Sequence, residues 1–506
     1  MRKWAPLIAV CLGTFMLLLD VTIVTVALPD MAGALHASLA SLQWVIDAYA
    51  LALAALLLGV GSAADVLGRR RVYVAGTVVF AVASLACGLS SSADVLVAMR
   101  GVQGVGGAAM FATTLSLLGA EYQGRDRGVA FGVWGAVSGA AAALGPVLGG
   151  LLTQNLDWRW IFYVNLPVSV AAVALTLRVV GESRGRAGQR VDVFGTLSWT
   201  VFAGTGVYAV VRADSVGWGS AATLGTLGAA AVALLVFWFV ELRAADPMLD
   251  PRLFRGASFS GVMAAAFAIS AAAFGVLPYT SIWLQTVLGF SPLGGGLVLV
   301  PLAAASFVTA AVGGRLLHGV SARLTVGVGM LLIGAGSLAQ AVLGAGSNWP
   351  SLAPGLVVAG VGVGVATPAL SQAALASVPP HRAGMAGGAV NTFRQLGYAL
   401  GVALFGTLAA SRMTHALTGA AADPHGTAQA LAGGAAQHLL AARVASPHTL
   451  RAAFTSGLDA AALAAGAVGI AAGVLVLLVV RAPAAPVPTA RQSAQAEAEP
   501  VRADAG

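Results

Sequence analysis

Fourteen stretches of this chain are predominantly apolar, each about 20 residues or longer and bounded by charged, proline or asparagine punctuation. They lie near 6–29, 43–64, 73–91, 95–118, 128–153, 161–180, 193–212, 220–241, 258–288, 295–317, 324–345, 351–376, 384–411 and 454–480. A helix rises 1.5 Å per residue, so about 20 apolar residues cross the hydrocarbon core of a bilayer. No water is present there, so every backbone polar group must be satisfied within the segment, and helix is the form that achieves this. The pattern therefore predicts an all-α polytopic membrane protein in a lipid bilayer. Composition excludes the alternatives. Only 9% of the 506 residues are charged, too few to clothe a soluble surface. The 65 glycines follow no three-residue period, which excludes a collagen-like chain.

The net charge of +8 reads as membrane topology rather than nucleic-acid binding. With the N-terminus inside, twenty of the 27 basic residues fall in inside segments. Five fall outside, at Arg159, Arg212, Arg412, Arg443 and Arg451, and Arg100 and Arg394 lie within spans. An even number of spans then puts both termini in the cytoplasm, with the chain multi-pass in the cell inner (plasma) membrane. The first apolar stretch is longer than the core of a cleavable signal peptide and is expected to remain as span 1. Cys11 and Cys87 lie in apolar runs and offer no disulfide framework. The outer loop near 412–453 carries His415, His425, His438 and His448 without ligand spacing, so no metal site is expected. The tail, 482–506, is rich in Ala, Pro and Glu and is expected to be disordered and cytoplasmic.

An internal echo points to duplication. GSAADVLGRR at 61–70 aligns with GRLLHGVSAR at 314–323, with Gly61 against Gly314, Arg70 against Arg323, and His318 in the place of Asp65. The expected organisation is an N-terminal six-helix bundle (1–185), two additional helices (186–255) and a C-terminal six-helix bundle (256–481).

Charged residues inside apolar spans are costly and mark function. Asp20, in LLLDVTIVTVALPD, lies nine residues before Pro29 and so about 13 Å below the outer end of span 1. Arg100, in RGVQGVGGAAM, lies six residues after Asp94, roughly 9 Å deep. The similar depths predict that the two face one cavity, although an arginine this shallow can also snorkel to the interface. Pro146, within SGAAAALGPVLGGLLT, removes a backbone hydrogen bond and kinks span 5. Gly139, Gly145, Gly149 and Gly150 around it permit close helix contact. The short turn between spans 2 and 3 holds Gly61, Asp65, Gly68, Arg69 and Arg70, a charge cluster able to latch onto a neighbouring helix end. Gly360, Gly362 and Gly364 sit within an apolar span, outside any strand-turn-helix context for nucleotides. The absence of Walker, G-x-S-x-G and catalytic histidine patterns leaves no site for ATP hydrolysis or covalent catalysis, so neither an enzyme nor a cofactor is expected.

These motifs, in this order, resemble the major facilitator superfamily, specifically its fourteen-span drug/proton antiporters. GSAADVLGRRR is similar to the loop between spans 2 and 3, RGVQGVGGAAM to the span 4 motif, SGAAAALGPVLGG to the span 5 antiporter signature and LDVTIVTVALP to the first-span motif. DWRWIFYVNLP and NTFRQLGYALG also resemble segments of this group. The resemblance implies two six-helix bundles plus two inserted central helices, working as a monomer. It implies export of an amphipathic or cationic drug by alternating access, driven by the proton gradient. It assigns proton coupling to Asp20 and Arg100, the cytoplasmic gate to Asp65, Arg69 and Arg70, and the antiporter hinge to Gly145 and Pro146.

Three charged residues lie outside that assignment. Asp47 stands where the group has a neutral polar residue, and is expected to be a surface charge or else a second acidic site. Arg394 is deep in span 13 and is expected to meet a cavity or a carboxylate, with Asp459 of span 14 as the candidate partner. Competing functions are a dedicated exporter of one metabolite, a proton symporter, and a polytopic membrane enzyme or sensor. A chain rich in Ala, Gly and Arg, with Lys3 its single lysine, suggests a GC-rich bacterial genome and a role in antibiotic export.

Overall fold

A computed structural model of the protein describes residues 2–480, apart from 36, 38, 186–190, 318–319 and 380–381. His318 and the 482–506 tail therefore lie outside the described residues. Among the described residues, fourteen helices are long and apolar enough to cross a membrane. Spans 1 to 7 are Ala5–Leu28, Trp44–Leu67, Arg69–Gly88, Ala93–Glu121, Asp126–Asn155, Trp160–Val179 and Val193–Ala213. Spans 8 to 14 are Ala221–Arg243, Ala257–Val287, Leu293–Gly313, Ala322–Gln340, Trp349–Ala376, Met385–Leu417 and Pro447–Val479. An even count leaves both ends of the described chain on one side, called here the terminal face.

Local chemistry sets where these helices begin and break. Side chains of Ser92, Asp192, Ser220, Ser291 and Ser446 accept hydrogen bonds from the first-turn amides of spans 4, 7, 8, 10 and 14. Gly68 separates spans 2 and 3 with φ +114°, a conformation open to glycine that lets two helices meet almost end to end. The helix of span 1 continues past the Pro29 boundary, to Leu35. Span 9 is broken where the sequence shows one apolar run. A helix over Ala257–Phe274 gives way to Leu277–Ile282, where Pro278 removes a donor, and then to a π-turn at Trp283–Val287. The loop near 412–453 is largely helical. Span 13 reaches Leu417, and Pro424–Ala432 and Ala436–Ala441 form two short helices before Pro447. Leu431 and Ala428 of the first are buried in one cluster with Met413 and Phe454.

The duplication is explicit in the helix pairings. Span 1 packs on 5 and 6, span 4 on 2 and 3, and span 3 on 6. Eight spans later the pattern repeats, 9 on 13 and 14, 12 on 10 and 11, and 11 on 14. Helices in lipid associate through close fit of small residues, and the two halves use them alike. A Cβ on Gly106 of span 4 would lie 2.5 Å from Phe80 N of span 3, and one on Gly336 of span 11 would lie 2.4 Å from Ala359 N of span 12. Gly360, Gly362 and Gly364 have the same use, pressed against the backbone of Leu302, Gly329 and Ser306. The bundles meet along two seams related by the repeat, span 5 on 10 and span 13 on 2. The inserted spans break that symmetry. Spans 7 and 8 pack on each other, and span 7 also packs on 2 and 13, covering one seam only. In the echo of the 61–70 turn, Arg323 is exposed at the start of span 11.

Candidate functional site

Asp20 and Arg100 meet directly. Arg100 Nη1 lies 2.5 Å from Asp20 Oδ2 and 2.6 Å from Gln103 Oε1, while its Nε donates to Val45 O at 2.9 Å. The remaining carboxylate oxygen accepts from Gln103 Nε2 and Asn165 Nδ2, each at 3.0 Å, and both amides reach Ser84 Oγ. The guanidinium also stacks over the Tyr49 ring at 4.3 Å. Asp20 is 0% and Arg100 1% exposed, so the snorkelling alternative for Arg100 fails. Charge neutralisation and these hydrogen bonds together offset the cost of burying the pair.

The expectation that the two residues face an open cavity is also corrected. A cavity between the bundles is lined on span 1 by Leu18, Val21, Thr22 and Thr25. Asp20 lies about 200° around the helix from both Leu18 and Thr22, so it turns away from that cavity toward span 4. Span 1 thus has one face on the ion pair and the other on the cavity, and can transmit a change at one to the other.

Span 5 grips this part of span 1. A Cβ on Gly145 would lie 1.8 Å from Thr22 Oγ1 and 3.1 Å from Ile23 N, and one on Gly149 would lie 2.8 Å from Ile23 O. The contact falls within three residues of Asp20. On the same helix Gly139 faces Ser306 of span 10 and Pro146 lies against Gly296, so the motif also forms the seam with the second bundle. Gly139 and Pro146 line the cavity, and Gly150 is buried.

Arg394 enters the cavity from span 13, beside Gln395 and Tyr398. Its expected pairing with Asp459 is not formed. Asp459 lies well inside span 14, accepts from Leu343 N at 3.1 Å, and lines a separate pocket with Arg412. Asp459 neighbours Arg412, which is 18 residues beyond Arg394 on span 13, so the two charges stand at different levels of the bundle. Asp47 is not a surface charge. It lines a pocket at the seam covered by span 7, with Val207, Val211 and Tyr398, and its Oδ2 is buried without a hydrogen-bond partner.

At the terminal face, Asp65 Oδ1 at the end of span 2 holds Arg69 Nε at the start of span 3 at 2.8 Å. Arg69 N donates to Ser183 O, and Gly185 N to Asp65 O. Arg70 Nη1 donates to Val180 O at the C-terminal end of span 6, and its amide to Glu182 Oε1. Gly68 is required here twice over, by its φ and by Glu182 Oε1, which would lie 2.8 Å from a Cβ. Gly61 and Asp65 line a small pocket with Met248 and with Met385 and Gly388 of span 13, so the cluster abuts the second bundle. Nearby, Arg382 Nη1 pairs with Asp250 Oδ2 at 2.8 Å. Burial alone would raise the Asp250 pKa, but the bond from Arg382 and the Arg252 amide outweigh it and hold the carboxyl below its usual range.

Residues 10–402 match the Major Facilitator Superfamily. The chain belongs to that superfamily. Among its relatives is the multidrug resistance protein Stp of Mycobacterium tuberculosis, 35% identical over 83% of this chain and 77% of that protein. The puromycin resistance protein pur8 of Streptomyces alboniger is 36% identical over 85% of each chain. The tetracenomycin C resistance and export protein of Streptomyces glaucescens is 34% identical over 81% of this chain and 77% of its own. Among solved structures, the human organic anion transporter MFSD10 matches with a TM-score of 0.64 over 94% of this chain and 99% of that one. At 15% identity, that likeness concerns the fold.

Within this superfamily chain, sequence reasoning passed over several members of the site. Gln103 and Asn165, which complete the Asp20 cluster, are neutral amides within RGVQGVGGAAM and DWRWIFYVNLP and carry no charge to mark them. Gln103 is three residues from Arg100 on the same helix face, a usable signal. Asn391 donates to Phe111 O at 3.0 Å and ties span 13 to span 4, and Glu182 anchors Arg70; no local pattern marks either.

Proposed function

We propose that this superfamily member is a proton-coupled exporter of small amphipathic drugs or antibiotics, set in the plasma membrane with both termini cytoplasmic. On this reading the bundles comprise residues 1–185 and 256–481, with the two added helices at 186–255, and the chain works as a monomer. The observation that carries it is span 1, with a neutralised carboxylate on one face and the cavity lining on the other. Protonating Asp20 removes the charge that Arg100 neutralises, so the pair loosens and Gly145 and Gly149 slide on span 1. Cargo and proton then compete through one rigid element, without a cofactor and with the proton gradient as the source of energy. The terminal-face cluster of Asp65, Arg69 and Arg70 acts as the cytoplasmic gate. A second reading, a dedicated exporter of one antibiotic, is supported by relatives named for resistance to single compounds, puromycin and tetracenomycin C.

Inside-out vesicles energised with a proton gradient test the reading. Cationic, neutral and acidic aromatic drugs are added while a pH-sensitive dye reports the gradient. At least one drug should discharge it in wild type and leave it intact in Asp20→Asn. A drug that discharges it equally in both would remove Asp20 from the coupling path. No response to any drug or candidate metabolite would overturn export.

A further inference from the structure

Arg100 and Arg394 both lie deep within membrane spans, and their surroundings differ. Arg100 is paired, with Asp20, Gln103, a backbone carbonyl and the Tyr49 ring. Arg394 is 9% exposed, and its buried Nε and Nη1 have no hydrogen-bond partner. Among the described residues no carboxylate pairs with it, and it is the single charged side chain lining the central cavity. Around it the lining is mainly leucine, valine, phenylalanine and proline, with seven neutral hydroxyls and the amide of Gln395. Hydrogen-bond donors of a desolvated guanidinium left unmet cost free energy that an arriving acceptor recovers. A planar fork of donors matches a carboxylate or sulfonate, whereas a cationic cargo would bring like charge against it in a low-dielectric space.

We propose that the cavity selects an acidic amphipath, an apolar aromatic body bearing a carboxylate, sulfonate or acidic phenol, with Arg394 as its counter-ion. This rests on the cavity being the cargo site of the proposed exporter, and it narrows the cargo to one charge class.

A matched set of probes separates charge from shape: 1-pyrenebutyric acid, its methyl ester and 1-pyrenemethylamine. Binding to the full-length protein in lipid nanodiscs is followed by fluorescence anisotropy. The acid should bind roughly ten- to a hundred-fold more tightly than the ester or the amine, the range expected of charge-assisted hydrogen bonds. Arg394→Gln should bring the acid down to the ester's affinity and leave the ester within about two-fold, while Arg394→Lys keeps part of the preference. Thr367→Asp supplies a carboxylate to the same lining at a hydroxyl that has no partner, and should shift preference toward the amine even if Arg394→Gln fails to fold. Equal or tighter binding of ester or amine by wild type, acid preference that survives Arg394→Gln, or no binding of any probe would each overturn the proposal. Energised vesicles keep the two readings apart: Arg394-dependent binding without accumulation of the acid refutes export while the cargo class stands.

Discussion

At the scale of single residues, what matters about a membrane-embedded charge is whether its partners are complete. Asp20 and Arg100 form a closed set, so removing one leaves the other buried and unpaired, which costs on the order of 3–5 kcal/mol in comparable pairs. Both variants are therefore expected to lower the melting temperature, Arg100→Ala the more sharply, because Asp20→Asn keeps the shape and one acceptor. Thermal denaturation in detergent checks this, and wild-type melting of both variants would show that the pair is not fully desolvated. Asp47 is the opposite case. One oxygen has no partner in a seam lined by Val207, Val211 and Tyr398, so Asp47→Asn should be neutral or stabilising in the same assay.

At the scale of elements, span 1 and span 5 act as one mechanical unit because glycine allows their backbones to touch. Adding a methyl group at Gly145 forces Thr22 aside, and overpacking of this kind costs about 1–3 kcal/mol. Gly145→Ala should slow drug-driven proton movement as well as lower stability, and Thr22→Ala should restore part of both, since it removes the nearest atom. Full activity in Gly145→Ala would mean that the helices separate there without consequence. The pairing of these two spans was legible only in outline. The glycine spacing announces a close contact, but nothing in span 5 says that its partner is the segment beside Asp20, more than a hundred residues earlier.

At the scale of the whole molecule, an ion pair at the terminal face joins the inserted segment to the second bundle. Asp250 and Arg382 link the segment after span 8 to the one before span 13. Because the folded carboxyl titrates below its usual range, the pair is fully formed above the ordinary carboxylate pKa and its contribution is lost as pH falls through the lowered value. Between pH 6 and 8 the pair should therefore be insensitive to pH. Asp250→Asn should raise hydrogen exchange in 244–256 throughout that range, as measured by mass spectrometry, and wild type should approach the variant only in strong acid. Exchange in wild type that rises already between pH 8 and 6 would point to a different titrating group.

Hydropathy along the chain was enough for the number of spans, their approximate limits, the paired termini and the residues too costly to be in lipid by accident, because partition between water and hydrocarbon is a property each segment has by itself. The order of motifs was enough for the superfamily. Tertiary structure alone decided who faces whom: that Asp20 turns from the cavity, that Arg394 enters it without Asp459, that Asp47 lies in a seam rather than on the surface, and that span 7 covers one seam and not its twin. Those facts depend on the rotation of each helix about its axis, and rotation is set by packing against helices far away in sequence, which a one-dimensional pattern of apolar residues does not encode.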